Sequence, residues 1–327
     1  MTPWAAGQTR VLLLFAAAAL VGPGARAEPF AYITNQKDDT VSVIDTASGQ
    51  VVKTVQVGSQ PAGVAVSRDG AKVVVTNPGS KDITVLDGRT HTVAATLAVG
   101  EGPLGVALDP SGARAYVADF YGHYLSVLDL AEGRLVKRMA VGRHPAGVVV
   151  SPDGARLYVA NREDDSVSSF HGGTLDLDRT VAVGRHPFGL LLDSKAQRLY
   201  SANVESNDVS VVDTAAMRVI KTIPVGKRPY ALASALSGKR VLVTNQYDNT
   251  VSVIDAERLE TIGTVPVGEY PEGIASHPDD RHVYVANWFS NTVSVIDALT
   301  LTVEKTIVTG DGSRAFGVFI PPGVPCR

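Results

Sequence analysis

The chain has 327 residues, 45% apolar and 19% charged, and 33 acidic against 30 basic side chains leave a formal net charge of −3. This composition excludes a disordered chain, which is too polar and too highly charged to bury a core. It also excludes whole-molecule attraction to nucleic acid or an anionic membrane, because a net negative charge repels phosphate.

Residues 1–27 read as an export signal. Arg10 supplies the positive start, Val11 to Val21 is an apolar run, and Ala25-Arg26-Ala27 offers a small-x-small cleavage site. Eleven helical residues rise about 16 Å, short of the roughly 30 Å of a hydrocarbon core, so cleavage rather than anchoring is expected. The mature domain, 28–327, is then one periplasmic or secreted unit with no membrane span. Removing Arg10 and Arg26 takes its charge from −3 to −5. The single cysteine, Cys326, permits no internal disulfide, so packing alone must hold the fold.

From residue 29 onward the chain is one repeat. Tyr32-Ile33-Thr34-Asn35 returns at 42-residue steps around Asn77, Asp119, Asn161, Asn203, Asn245 and Asn287. Val41-Ser42-Val43-Ile44-Asp45 keeps the same period, ending at Asp87, Asp129, His171, Asp213, Asp255 and Asp297. A glycine at 58, 100, 142, 184, 226, 268 and 310 is the third marker. One unit holds four β-branched runs, Gly63–Ser67, Lys72–Asn77, Ile83–Asp87 and His91–Val99, each bounded by turn residues. Asp69-Gly70, Ser111-Gly112, Asp153-Gly154 and Ser237-Gly238 suit hairpins that need positive φ. The Asn closing each second strand is expected to bond its own backbone and open the next turn. Four antiparallel strands in about 40–45 residues is the period of a β-propeller blade. The fold class expected is all-β, a seven-bladed propeller.

These residues resemble the YVTN-repeat family of β-propellers, which includes YncE-like proteins. The match rests on Tyr-Val-Ala-Asn at 158–161 and 284–287, the Val-Ser-Val-Ile-Asp run and the Val-Gly-x-x-Pro-x-Gly link at Val57–Gly63 and Val141–Gly147. It covers essentially the whole mature chain. The resemblance implies a secreted or surface propeller and names no activity, because its motifs are framework.

The mature chain opens on a second strand, Phe30–Asn35, and ends on a lone first-strand copy, Phe316 to Ile320. That C-terminal inner strand is expected to join the outer strands of residues 29–58 and close the ring. The closing link, Gly310–Gly317, reads as two residues longer than its counterparts, with the Pro lost.

First strands line the axis of a propeller, and here they read as small or apolar residues, as in Gly105-Val106-Ala107-Leu108. Ionisable groups enter only at Asp109, Asp193 and His277, so general acid–base catalysis inside the channel has no residue to run it. Diversity gathers instead on the face carrying the inter-blade links. Arg143-His144, Arg185-His186 and Lys227-Arg228 form a basic arc over three consecutive blades, suited to a carboxylate or phosphate. Tyr121, Tyr270, Trp288 and Phe289 add aromatic surface, and Arg314 sits in the atypical closing link. His123, His144, His186 and Asp119 fall on neighbouring rim loops and offer a metal-binding alternative, without the close spacing that marks a local site. His91 and His282 read as exposed strand starts.

The expected function is a non-catalytic binding module, taking a small molecule or protein on the link face. Nucleic acid is disfavoured as a partner, no cofactor is predicted and a monomer is expected. The alternatives are an accessory to a periplasmic redox system handling haem or quinone, and a lactonase- or lyase-like enzyme built on the rim histidines.

Overall fold

The computed structural model describes Met1 and residues 29–193, 195 and 197–322; the expected leader and Cys326 lie outside the described residues. The chain forms a seven-bladed all-β propeller. The first blade holds β1 (Phe30–Asn35), β2 (Thr40–Asp45) and β3 (Gln50–Gln56), and the second β4 (Gly63–Val66), β5 (Lys72–Asn77), β6 (Asp82–Asp87) and β7 (Thr92–Ala98). Five further four-stranded blades follow: β8–β11 (103–140), β12–β15 (145–182), β16–β19 (187–224), β20–β23 (229–266) and β24–β27 (271–308). Among the described residues the only helix is a single 3-10 turn, Arg162–Asp164.

The two middle strands of each blade are buried along almost their whole length, as in β5 and β6. Neighbouring blades cover both of their faces, so they read as continuous β-branched runs rather than alternating ones. The core is therefore a series of inter-blade layers. In one, Tyr116, Leu125 and Val127 meet Val148, Leu157 and Phe170 of the next blade.

Two polar positions explain themselves in three dimensions. The Asp closing six of the seven third strands caps the turn after it: Asp45 Oδ1 accepts from the Ala47 and Ser48 amides, and Asp87, Asp129, Asp213, Asp255 and Asp297 do the same. The Asn of the second strand does not form the expected Asx turn. It is buried on extended backbone, and its amide donates across the sheet to side chains five and seven residues on, as Asn35 does to Thr40 and Ser42.

The ring closes through the C-terminal segment, with a register that differs from expectation. Ser313 bridges Asn35, the Arg314 amide donates to Thr34 O and the Tyr32 amide to Phe319 O. The Ala315 amide donates to Thr34 Oγ1, as Gly63 does to Thr76 and Ala231 to Thr244. Ser313 thus takes the place of the link Pro and Ala315 that of the strand-opening Gly, 42 residues after Gly273. The link is not lengthened; Gly317 is an inner-strand residue, not the repeat glycine. Beyond it, β28 (Phe316–Val318) runs parallel to β4, pairing Phe316 with Gly63. One segment is stitched to both of its neighbours.

Inner strands approach so closely that a Cβ has no room. Built at Gly105 it would lie 1.9 Å from the carbonyl oxygen of Ala146, and at Gly63, Gly147 and Gly189 between 2.2 and 2.4 Å from the oxygens of Leu104, Phe188 and Tyr230. Gly105→Val should therefore destabilise the protein by about 1–3 kcal/mol, read as a lower denaturation midpoint at unchanged slope. Gly173→Ala, where nothing lies within 4 Å of the added carbon, should leave the midpoint unmoved.

Candidate functional site

The link face is rigid because each link is held from two blades. The second-to-third-strand loops carry a left-handed residue at 39, 81, 123, 165, 207, 249 and 291. In six of the seven, that side chain accepts from the link of the adjoining blade: Asp39 from the Gln60 amide, His123 Nδ1 from His144, Asp165 from His186, Asn207 from Arg228, Asn249 from Tyr270 and Asn291 from Gly312. The link backbone is fixed, and side chains pointing outward from it are free to differ.

Inside that ring the channel mouth is closed. The equivalent residues Ala62, Leu104, Ala146, Phe188 and Tyr230 share one buried cluster with Phe316. Phe188 lies 4.2 Å from Tyr230 and 5.0 Å from Phe316, ring centre to ring centre. The two remaining places hold Glu272 and Arg314. Arg314 Nε sits 2.5 Å from Glu272 Oε2, Nη2 donates to Tyr230 OH at 2.9 Å, and Gln246 donates to Glu272 Oε1. Glu272 is 2% exposed. Burial raises its carboxyl above the ordinary range while Arg314 and Gln246 pull it back. The expectation of an uncharged axis is corrected here. Glu272 stands one residue ahead of Gly273, the first-strand glycine of its blade, and its compensating charge comes from 42 residues later. Arg314, expected on the rim to meet ligand, is committed to this pair.

Outside the plug, three of the expected residues, Tyr270, Trp288 and Phe289, form a shelf with Tyr247. Tyr270 lies 5.7 Å from Tyr247, 5.4 Å from Trp288 and 4.8 Å from Phe289, and Trp288 stacks on Phe289 at 4.6 Å. Tyr247 and Phe289 are 57% and 52% exposed. Trp288 Nε1 is buried with no acceptor among the described residues. Arg228 lies over the Tyr247 ring and Lys37 over Trp288. Tyr121 belongs to a separate group, edge-on to Phe120, which packs against His144.

The basic arc is neutralised in part. Arg143 pairs with Asp164, and Arg228 with Glu205 at 2.5 Å. The Arg185 guanidinium donates to Glu205 O. Lys227 is exposed, its amide held by Asp248. The acidic partners come from second-to-third-strand loops, where the linear sequence gave no sign of the pairing.

The four residues of the metal alternative are only partly gathered. The His123 and His144 rings meet at 4.8 Å, but His123 Nδ1 is occupied by the framework bond to the His144 amide. His186 lies 3.8 Å from both Glu163 and Glu205. Asp119 is buried and accepts from the Gly102 and Gly122 amides. Neither His91 nor His282 is merely exposed. His91 packs on Phe30 and bonds Tyr32 OH, and His282 lies between Asp279 and Glu304.

Below the plug the axis widens into a cavity of about 510 Å³, lined by residues such as Val106, Val149, Leu191 and Ile274, with Asp109 and His277 where it opens on the far face.

The sequence matches the family of YNCE-like β-propellers over residues 15–113 and 225–312, together more than half of the chain, and that of seven-bladed lactonase β-propellers over residues 125–218. No curated protein matches it. Similar solved structures include a functionally unknown protein from Desulfotomaculum acetoxidans (TM-score 0.77, 14% identity, 88% of this chain and 99% of that one). The dihydro-heme d1 dehydrogenase NirN follows (0.67, 16%, 86% and 63%), then hydrazine synthase from Kuenenia stuttgartiensis (0.54, 20%, 73% and 95%). These likenesses are of fold.

Arg314→Met strands a buried carboxylate and should cost about 3–5 kcal/mol. Arg314→Met combined with Glu272→Gln should recover most of that loss in a denaturation double-mutant cycle. Simple additivity of the two would show that the pair is not coupled.

Proposed function

The chain belongs to the family of YNCE-like β-propellers, and from that premise we propose that it is an exported, non-catalytic binding module whose partner is a protein docked on the link face. The observation that carries this reading is the shelf of Tyr247, Tyr270, Trp288 and Phe289. None of these side chains is required by the repeat. Clustered Tyr and Trp are the residues that dominate binding energy at protein interfaces, where a ring of polar contacts excludes water around them. Here the pairs Lys37–Asp311 and Arg228–Glu205 flank the shelf on its two sides. Such exposed pairs contribute little stability of their own. Their use in this reading is to border an apolar centre. Export rests on the leader read from residues 1–27, and the described residues hold no helix long and apolar enough to cross a membrane.

A second reading is an accessory to a redox system handling haem. It is favoured by His144, whose Nδ1 is buried beside Phe120 and His123 with no hydrogen-bond partner among the described residues, and by likeness in fold to a dihydro-heme d1 dehydrogenase. The two readings use different parts of one face. A photo-crosslinking residue placed at Phe289 should capture a protein adduct in the exporting cell, while the same residue at Val52 on an outer strand should not. Adducts absent from 289, together with a haem absorption band that is lost in His144→Ala, would replace the first reading by the second.

A further inference from the structure

The turn between β24 (Pro271–Ser276) and β25 (His282–Asn287) lies on the far face, away from the shelf. In two other blades this turn reads Ser67-Arg68-Asp69-Gly70-Ala71-Lys72 and Ser151-Pro152-Asp153-Gly154-Ala155-Arg156, with the Ser hydroxyl bonded to the Asp carboxylate. In the last complete blade it reads His277-Pro278-Asp279-Asp280-Arg281-His282. The Asp is kept, and imidazoles replace the residues at both ends of the turn. They converge on it: His277 Nδ1 lies 3.0 Å from Asp279 Oδ2, and His282 Nδ1 contacts the same oxygen. The three potential ligand atoms all lie within 4.8 Å of one another, and no other such set of three occurs among the described residues.

A second, independent observation concerns the outer nitrogens. His282 Nε2 lies 3.0 Å from Glu304 Oε2, and His277 Nε2 lies 3.2 Å from Thr46 Oγ1. Ligating histidines in metal sites are held in this way, by an acceptor on the nitrogen facing away from the ion. The Thr46 hydroxyl donates to Pro29 O, so toward His277 it acts as acceptor and Nε2 carries the proton. A neutral imidazole in that tautomer accepts at Nδ1 from the Asp279 amide at 3.3 Å and turns the same lone pair toward the Asp279 carboxylate oxygen, where an ion would be held by both. The cationic group now facing Asp279 is His282, whose burial is outweighed by its two carboxylate neighbours, which raise its pKa, and a metal ion would take the place of that proton. Arg281 is engaged with Asp297, and Asp280 is bonded by Ser237.

We propose that His277, Asp279 and His282 form a divalent-metal site of the zinc type. Two imidazole nitrogens and one carboxylate oxygen suit zinc, which takes three protein ligands and leaves a fourth position to water or an outside group. His277 is nearly buried while His282 and Asp279 keep about a third of their side-chain surface, so that fourth position faces solvent. Thr46 and Pro29 belong to the first blade, and the turn to the last complete one. The ion would therefore bind at the seam where the ring closes and tighten it.

The test uses the mature chain freed of metal with a chelator, then titrated with zinc against a chromophoric competitor. One zinc per chain is expected, with a rise in melting temperature, and cobalt(II) in its place should show the visible bands of a four-coordinate ion. His277→Ser and His282→Arg each restore the residue found at the equivalent place in other blades (Ser67 and Ser151; Arg114, Arg156, Arg198 and Arg240), so both variants keep a framework-compatible side chain. Each should bind zinc at least tenfold more weakly. His123→Asn with His144→Ala, on the link face, should bind as the unaltered chain does. Three results would overturn the site: no zinc bound at micromolar concentration, undiminished binding in both turn variants, or binding lost with the link-face pair. The first would mean that a proton bridges His277 and Asp279.

Discussion

At the head of the inner strands the backbone of one blade lies against the carbonyl of the next, leaving no space for a side-chain carbon at Gly63, Gly105, Gly147 or Gly189. Everything else in the propeller follows from that approach. It sets the distance between blades, and thereby the depth of the apolar layers between their middle strands. It brings the links of neighbouring blades close enough for one loop to hold the next. Apolar burial supplies the driving force, but the glycine contacts decide the geometry in which it is gained. Ala231 and Ala315 stand at the same position in two blades, and those residues follow Tyr230 and Arg314, two members of the polar group at the plug.

A ring held this firmly separates scaffold from surface. Link amides are engaged by side chains from the adjoining blade, and strand ends are capped by their own Asp residues. Substitution at an outward-pointing link position therefore changes what the face offers without changing the fold. This is how four aromatic residues come to lie together on one side of the link face while paired charges occupy another. The same logic holds on the far face, where an Asp shared with two other blades is kept and the residues at both ends of its turn have become histidines. A rigid frame positions such groups more precisely than a mobile loop would, which is a requirement of any site that depends on convergent geometry.

Different parts of the molecule were legible in the linear sequence to different degrees. The blade count and the strand boundaries could be read because each is local chemistry repeated seven times, and the hairpin glycines because the same dipeptide chemistry recurs in four turns. The positive φ of Gly70, Gly112, Gly154 and Gly238 was foreseeable from the residue before each. Readings that depended on one copy compared with its neighbours were less secure. Gly317 reads in the sequence as the glycine that opens the last first-strand copy, yet Ala315 occupies that place and carries the bond to Thr34. Pairings between charges were not legible at all. Arg143 and Asp164 are 21 residues apart, Glu272 and Arg314 are 42 apart, and nothing local in either stretch marks its partner.

Sequence alone determined the architecture, because a short β-branched motif repeated at constant spacing can bury its apolar faces only by stacking copies of itself, and seven copies close a ring. It also determined which face would vary, since departures from the repeat are visible without coordinates. Only the tertiary structure decided what those departures build. It paired Arg143 and Arg228 of the basic row with acidic side chains, gathered Tyr247, Tyr270, Trp288 and Phe289 into one surface, and drew Glu272 and Arg314 together at the axis. It also brought His277 and His282 onto a single carboxylate. The reason is physical: hydrogen bonds and ion pairs act over a few ångströms, and curving the chain into a ring decides which residues from different blades come within that range.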